Sequence, residues 1–367
     1  MQHQTIMSKH TSLDWNSNPE RLVKLEGSLT QGVGRTLAIK IEKLQTKSPE
    51  PITICINSRG GEVKAFHELD RVFKKSNIHG KGNHIVTVAS NAASAAACLL
   101  VAGHFAYVLK NARIGFHGAI WSCPQDGKTL RRDQVLAVGL RMDRNNRKIA
   151  KAMARRVAYR VAAIGTRLKE QAKITRKEIS PKRFFEKYID CVKIQLSSDK
   201  PKALLAESFN RYNMLFSLIR HFPTKKLSFR RKDFSALEAK VFKAIITYEV
   251  KTRLAESRTI NPTMATEIIM DYILAREFIR DRHLNLIEDL AKARGEIFLT
   301  RHQAAKYREL ASKTPAKASA YLITMTRQYT FGLWCFSLTF CHHLLSGQLT
   351  LSANDAYWLG LVDEVLE

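Results

Sequence analysis

Over the first 120 residues, the apolar positions follow two patterns, one typical of buried strands and the other typical of amphipathic helices. Runs rich in β-branched residues over 51–61 and 84–90 predict strands that are buried on both faces. Apolar residues at helical spacing predict helices over 34–47 and 62–77, and residues 105–118 predict one or two further strands. This alternation predicts an α/β fold with right-handed crossovers over a mainly parallel sheet.

From about residue 130 to about residue 330, the pattern is helical almost throughout and contains few glycines. Prolines divide this stretch into six or seven predicted helices, because proline interrupts a helix but suits its first turn. These prolines are Pro181, Pro201, Pro223, Pro262 and Pro315. Residues 349–367 predict a short helix followed by a strand. The pattern therefore indicates an α/β part, a long helical segment and a short end piece.

The charge of the chain is concentrated in the helical segment. The 367 residues carry a formal net charge of +27, from 60 Lys and Arg against 33 Asp and Glu. Residues 131–346 hold 44 of the basic and 20 of the acidic residues, which gives this segment a charge of +24. Such a segment can bind an acidic protein or nucleic acid. It can equally be the solvated surface of a helical domain.

Neither the cysteines nor the apolar stretches point to an extracellular or membrane protein. The six cysteines are scattered and form no CxxC pair, which is typical of a reducing compartment. The first residues contain no apolar stretch that resembles a signal peptide, and the apolar stretch 329–340 is too short to span a bilayer. Cys341-His342-His343, with Cys335 before it, fits no standard zinc spacing. We expect a cytoplasmic protein with no membrane segment and no metal.

Three places in the first 120 residues carry groups suited to acyl transfer. One strand ends in the pair Gly60-Gly61, Ser94 lies in an alanine-rich strand-to-helix junction, and a later strand ends at His117. A serine hydroxyl needs an adjacent base to act as a nucleophile, and a histidine suits that role. The backbone N–H groups of the glycine pair and of Ala95 could bind an oxyanion. Ser94 could also be a serine that is tolerated in a packed helix.

Four segments, taken in order, match the motifs of one known family. INSRGGEV resembles the family's INSPGG loop, and SNAASAAACLLVAG resembles its GQAASMGAFLLAAG segment, with Ser94 at the nucleophile. NARIGFHGA resembles NARIMIHQP, with His117 at the general base, and LSANDAYWLGLVDEVL resembles LSAEEAKEYGLIDKVL. The chain thus resembles the proteolytic subunit of the Clp protease (ClpP, peptidase S14-like), within the ClpP/crotonase superfamily.

The resemblance covers about residues 20–130 and 346–367. It implies a β-α-β superhelical core of the ClpP/crotonase type, interrupted in this chain by a mostly α-helical inserted domain. It also implies a serine–histidine mechanism without a cofactor. The oxyanion hole would be formed by the backbone of Gly60, Gly61 and Ala95.

Two departures from the family's pattern affect these expectations. The family has the aspartate of its triad four residues before the Ser-Ala of the last motif, where this chain has Gln348. Gln348 could accept a hydrogen bond from the imidazole, but it lacks a carboxylate charge, and losing that charge can slow a triad by about 10⁴. The second departure is a basic helical insertion over 133–345, whose start could be the family's handle helix. The predicted organisation is a polar leader (1–19), a core in two parts (20–132 and 346–367) and this insertion.

The first functional hypothesis is a ClpP-like serine endopeptidase, a hydrolase that acts on protein or peptide substrates. The resemblance implies a homo-oligomer and substrate delivery by an ATP-dependent unfoldase. The alternative is a catalytically weak or inactive scaffold whose insertion binds nucleic acid or an acidic protein. Gln348 favours this alternative, whereas Ser94 and His117 oppose it. A third hypothesis, an acyl-CoA enzyme of the crotonase branch, fits the serine–histidine pairing less well.

Overall fold

The chain forms two compact units. The first, called the α/β unit, comprises Met1–Gly115 and Val362–Glu367, and the second, called the helical unit, comprises Phe116–Leu361. The computed structural model describes residues 18–75, 84–120, 132–171, 181–220, 231–256, 262–280 and 285–367. The polar leader predicted over 1–19 lies outside these residues except for its last two. In the structure, the boundaries between the units follow Gly115 and precede Val362. The domain boundaries predicted from the sequence are near residues 132 and 346.

The α/β elements at the start of the chain precede a long series of helices. The first part of the chain holds β1 (Leu22–Leu29), α1 (Gln31–Lys47), β2 (Ile52–Gly61), α2 (Val63–Phe73), β3 (Ile85–Ala93), α3 (Ala95–Ala102), β4 (Phe105–Leu109) and β5 (Arg113–Phe116). It is followed by α4 (Arg132–Gln171), α5 (Pro181–Gln195), α6 (Asp199–Arg220), α7 (Arg231–Glu256), α8 (Pro262–Arg280), α9 (Asn285–Arg294), α10 (Arg301–Lys313) and α11 (Pro315–Ser346). The last elements are β6 (Leu349–Ser352), α12 (Ala353–Trp358) and β7 (Glu364–Leu366).

The sheet of the α/β unit is parallel, as the sequence pattern predicts. Its strand order is β1-β2-β3-β4-β7, and each of these neighbouring pairs is parallel. The last residues return to this sheet, where the Asp363 carboxylate accepts a hydrogen bond from the Ala106 N–H at 2.7 Å. The first and last parts of the chain therefore share one sheet. The predicted α/β fold class with an additional helical region is confirmed.

Helix α2 buries one apolar face against the rest of the α/β unit. A Cβ atom at Gly34 of α1 would lie 2.7 Å from the Cβ of Ala65, so glycine allows α1 and α2 to approach closely. Each fully buried large apolar side chain stabilises the fold by about 1.5–3 kcal/mol. The buried apolar positions of α2 recur at helical spacing: Ala65, Phe66, Leu69, Val72 and Phe73.

Helix α11 forms the centre of the helical unit. Every residue from Thr330 to His342 is buried, and α4, α6, α9 and α10 all pack against this helix. The ring of Phe336 lies 5.1 Å from that of Phe185 and 5.8 Å from that of Tyr212. A helix that is buried on all sides requires such surroundings. In the part of the chain that the structure describes, no helix combines the length and the hydropathy needed to cross a membrane.

The described residues between 132 and 346 form eight α-helices, and the predicted count of six or seven was therefore too low. Prolines do mark three of the starts, since α5, α8 and α11 begin at Pro181, Pro262 and Pro315. The start of α10 has no proline. It is set instead by a capping box, in which the Thr300 hydroxyl accepts from the Gln303 N–H and the Gln303 side chain accepts from the Thr300 N–H.

Candidate active site

Ser94 connects β3 to α3 and has a strained backbone. Its φ of 55° and ψ of −129° make it the one residue other than glycine with a positive φ among the described residues. Such a conformation costs about 1–3 kcal/mol and must be held by its surroundings. The Ser94 N–H donates to the Gly115 carbonyl at 2.8 Å, and the Ser94 carbonyl accepts from the Cys98 N–H at 3.1 Å. The hydroxyl makes no capping hydrogen bond to α3, so this strained turn does not serve to cap the helix.

The end of β2 lies directly against the Ser94 turn. A Cβ atom at Gly60 would lie 2.4 Å from the Ala93 carbonyl oxygen and 2.6 Å from the Ser94 Cβ. Gly60 also has a φ of 87°, which side chains disfavour. Glycine is therefore required at this position by both space and backbone conformation. The structure brings together Gly60, Ser94 and Ala95, three of the residues that the sequence predicts for the site.

The candidate oxyanion donors differ in how their N–H groups are used. Ala95 is the first residue of α3, so its N–H has no acceptor within the helix. The Gly60 N–H donates to the Ser58 hydroxyl at 3.1 Å, and that hydroxyl donates to the Gly27 carbonyl at 2.5 Å. Gly61 lies against β1, because a Cβ there would be 2.3 Å from the Leu29 carbonyl oxygen. Ser58, which sequence reasoning did not single out, thus engages one of the predicted donors.

Helix α3 supplies an apolar support for the serine turn. All residues from Ala95 to Val101 are buried. Burial raises the pKa of the Cys98 thiol to about 12. A thiol with that pKa stays protonated at neutral pH and is a poor nucleophile. Ser94 is therefore the nucleophile candidate at this junction.

His117 lies in the helical unit and has a defined hydrogen bond. Its Nδ1 lies 2.8 Å from the Gly118 carbonyl oxygen. Because a carbonyl can only accept, Nδ1 must carry the proton in this contact. Nε2 of the neutral ring then carries the lone pair that a general base needs.

The segment that follows His117 is held by two helices of the same unit. The Ala119 N–H donates to the Asn146 side-chain oxygen, on α4, at 2.7 Å. A Cβ atom at Gly118 would lie 2.6 Å from the carbonyl oxygen of Leu345, on α11, and 2.8 Å from the Asn146 amide nitrogen. Helices α4 and α11 therefore fix the backbone whose carbonyl binds the imidazole. Asn146 gives no signal in the sequence, because its role depends on a contact across 27 residues.

Gln348, the candidate third member, lies in the short connection between α11 and β6. It is exposed, and its side chain forms no hydrogen bond within the described residues. The Nδ1 partner that the structure shows is the Gly118 carbonyl. Of the nearby acids, Asp355 accepts hydrogen bonds from the Ser197 N–H at 2.8 Å and the Ser197 hydroxyl at 2.6 Å. Asp355 thus joins α12 to the connection between α5 and α6.

A family comparison matches the part of the chain that carries this site. Residues 11–178 match the family described as Clp protease. Over these residues, which are fewer than half of the 367 in the chain, the sequence is similar to the Clp protease family. The matched Clp protease region includes Gly60, Ser94 and His117, and it extends through α4, whereas Gln348 lies outside it.

At the level of the family, this match identifies a ClpP-like peptidase domain. Proteins of the Clp protease family generally act on protein substrates and oligomerise. The resemblance recognised in the sequence is therefore confirmed over residues 11–178. A comparison with curated proteins found no match.

Proposed function

We propose that the chain is a serine endopeptidase of the Clp type, with Ser94 as the nucleophile and His117 as the general base. The observation that carries the proposal is the strained conformation of Ser94 at the turn between β3 and α3. Strain at a strand-to-helix turn is typical of a nucleophile that must be presented to a substrate. The position of His117 in the sequence supports its role as the base. The Gly115 carbonyl accepts a hydrogen bond from the Ser94 N–H, and only Phe116 separates Gly115 from His117.

In the proposed mechanism, the Ser94 hydroxyl oxygen attacks the carbonyl carbon of the scissile peptide bond. His117 Nε2 takes the hydroxyl proton and then delivers it to the leaving amine nitrogen. Water hydrolyses the resulting acyl-enzyme by the same route, so that serine and neutral histidine are restored. The Ala95 N–H and the glycine pair would stabilise the oxyanion. Beside Ala95, the second N–H donor to the oxyanion is Gly60 or Gly61. The Gly60 N–H could serve only if it gives up its hydrogen bond to the Ser58 hydroxyl.

The Gly118 carbonyl supplies part of what the family's aspartate supplies. An aspartate in a triad holds the histidine tautomer and stabilises the imidazolium. The Gly118 carbonyl can do the first by accepting a hydrogen bond from the Nδ1–H group. It carries no net charge, so it stabilises imidazolium less than a carboxylate does. We therefore propose a slow peptidase, with Gln348 outside the triad's hydrogen bonds.

The proposal includes the setting in which such a peptidase works. Its substrates would be unfolded polypeptides, the chain would self-associate, and an ATP-dependent unfoldase would deliver substrates. None of the five described cysteines forms a disulfide, which suits a cytoplasmic location. The division into a core (20–132 and 346–367) and a basic insertion (133–345) is part of the same proposal.

The direct test is hydrolysis of denatured casein and fluorogenic peptides by the full chain. We expect Ser94→Ala and His117→Ala each to lower kcat by about 10³ or more. Ser312→Ala and His302→Ala, on the exposed surface of α10, are matched controls and should retain full activity. Hydrolysis that survives Ser94→Ala would show that the activity does not come from this site.

A further inference from the structure

Helix α4 of the helical unit carries a row of exposed cations. Between residues 141 and 165, each exposed side chain is Arg or Lys. We call these four residues the α4 stripe: Arg141, Arg144, Lys148 and Arg155. They form no ion pair within the residues that the structure describes. Their positive charges are therefore available to a partner.

The spacing of the α4 stripe places its members on one side of the helix. At 3.6 residues per turn, the four positions fall within about 60° of the helix circumference. They extend over 14 residues, or about 21 Å along the axis. One acid, Asp143, occurs on α4 between 141 and 165, and it pairs with Arg147 at 3.0 Å, away from the stripe. The stripe is thus a continuous line of positive charge.

Lys151, also on α4, differs from the α4 stripe because it is paired with an acid. Lys151 lies next to the α4 stripe on the helix surface, but it forms an ion pair with Glu277 of α8. Arg147 also approaches Glu277, at 4.0 Å. Glu277 therefore neutralises the cations of α4 that face α8. The residues of the α4 stripe form no ion pair with Glu277 and keep their charge.

We infer that the α4 stripe binds the phosphate backbone of a nucleic acid. A nucleic-acid strand presents one phosphate per 3.4 Å, so the 21 Å stripe matches about six phosphates of one strand. Arginine suits this contact because its planar guanidinium can bind phosphate through two N–H groups. Contacts of this kind do not distinguish sequence.

An acidic protein is the other polyanion that such a stripe could attract, and the surface fits it less well. Protein interfaces have an apolar core that is surrounded by a polar rim. The exposed positions of α4 from 141 to 165 include no apolar side chain. The exposed apolar residues Val135 and Leu140 precede the first cation of the stripe. Nucleic acid is therefore the partner that the stripe favours.

The test is the salt dependence of binding, measured by fluorescence anisotropy with the full chain and a labelled 20-base-pair duplex of mixed sequence. Each phosphate contact contributes about −0.9 to the slope of log K against log salt. Four contacts predict an affinity loss of about 150-fold between 50 and 200 mM salt. Arg144→Gln/Lys148→Gln should bind more weakly and lose only about 12-fold.

A matched variant controls for net charge. Lys243→Gln/Lys317→Gln removes two exposed cations from α7 and α11, and it should behave as the unmodified chain does. Glutamine keeps good helix propensity, and circular dichroism checks that each variant is folded. Equal salt dependence in the stripe variant and the unmodified chain would overturn the inference. Tighter binding of poly-glutamate than of the duplex would also overturn it, in favour of an acidic protein.

The binding test is independent of the proposed peptidase activity. Ser94→Ala should bind the duplex as the unmodified chain does, because Ser94 lies in the α/β unit and the stripe lies in the helical unit. Binding by a chain without peptidase activity would support the stripe and refute only the peptidase. Peptidase activity without stripe-dependent binding would refute only the nucleic-acid inference.

Discussion

At the scale of residues, Ser94 depends on neighbours that stabilise its unusual backbone conformation. The Gly115 carbonyl and the Cys98 N–H bind its backbone, and Gly60 leaves space beside its Cβ. A side chain at Gly60 would clash with the Ala93 carbonyl and the Ser94 side chain. The end of β2 can therefore pack against the Ser94 turn only with glycine at this position. The strain at Ser94 is therefore maintained by β2, β5 and α3 together.

Asn146 should matter for catalysis through His117. Asn146→Ala removes the acceptor of the Ala119 N–H, and a lost hydrogen bond of this kind costs about 0.5–1.5 kcal/mol. The backbone that carries the Gly118 carbonyl would then hold the imidazole less firmly. We expect kcat for peptide hydrolysis to fall by about 10-fold, with KM changed less than about twofold because substrate binding is untouched.

The neighbouring asparagine provides the control for this prediction. Asn145→Ala makes the same change one position earlier on α4, where the side chain forms no hydrogen bond within the described residues. It should leave both kinetic constants unchanged. An Asn146→Ala variant with the kcat of the unmodified chain would contradict the positioning role.

The sequence predicts which residue types form the candidate site, but it does not predict most of their contacts. Ser94, Gly60 and His117 are recognisable because small residues, a glycine pair and a histidine recur at defined places near strand ends. The hydrogen bonds of Ser58 and Asn146 join residues that are 31 and 27 positions apart. Such contacts follow from tertiary packing, which no local pattern contains.

At the scale of elements, α11 places a buried histidine, His342, and a partly buried one, His343, near charged groups of the helices around it. His342 is 3% exposed, and burial together with Arg211 and Arg147 lowers its pKa to about 4. Burial, Arg211 and His342 lower the pKa of His343 to about 3. His343 Nδ1 lies 3.1 Å from the Ser208 hydroxyl oxygen. Both histidines are therefore neutral at pH 7.

The stability of the chain should fall as the pH drops below 6.5. The ordinary pKa of His342 in the unfolded chain exceeds its folded value of about 4, so the unfolded state binds the proton more readily. The stabilisation is complete above pH 6.5 and is lost on acidification. We expect His342 alone to lower the free energy of unfolding by about 2 kcal/mol between pH 7 and pH 5.

Urea unfolding followed by circular dichroism measures this effect. His342→Gln removes the titrating group and should reduce the loss of stability between pH 7 and pH 5. His302→Gln, on an exposed position of α10, should leave the loss unchanged. The same pH dependence in His342→Gln and the unmodified chain would contradict the assignment.

The elements themselves are predictable where the pattern is strong. The buried strands and α1, α2 and α3 appear close to their predicted positions because β-branched runs and helical spacing are local signals. Prolines predict the starts of α5, α8 and α11. The start of α10 is missed because a Thr300–Gln303 capping box is a weaker signal than a proline.

At the scale of the whole molecule, one chain builds two units with different charge and composition. The last residues return to the first sheet through β7, so the α/β unit is made from both ends of the chain. Ser94 belongs to the α/β unit and His117 to the helical unit. Sequence motifs could place both residues in one family pattern, but they could not locate the boundary after Gly115, which depends on packing.

The measurement that tests the central claim most directly is covalent labelling of the full chain with a fluorophosphonate, followed by mass-spectrometric mapping of the adduct. An activated Ser94 should form the adduct at its hydroxyl oxygen. Ser94→Ala should abolish labelling, His117→Ala should slow it strongly, and Ser312→Ala should have no effect. Folded, oligomeric protein that forms no adduct at Ser94 would contradict the assignment of this residue as an activated nucleophile.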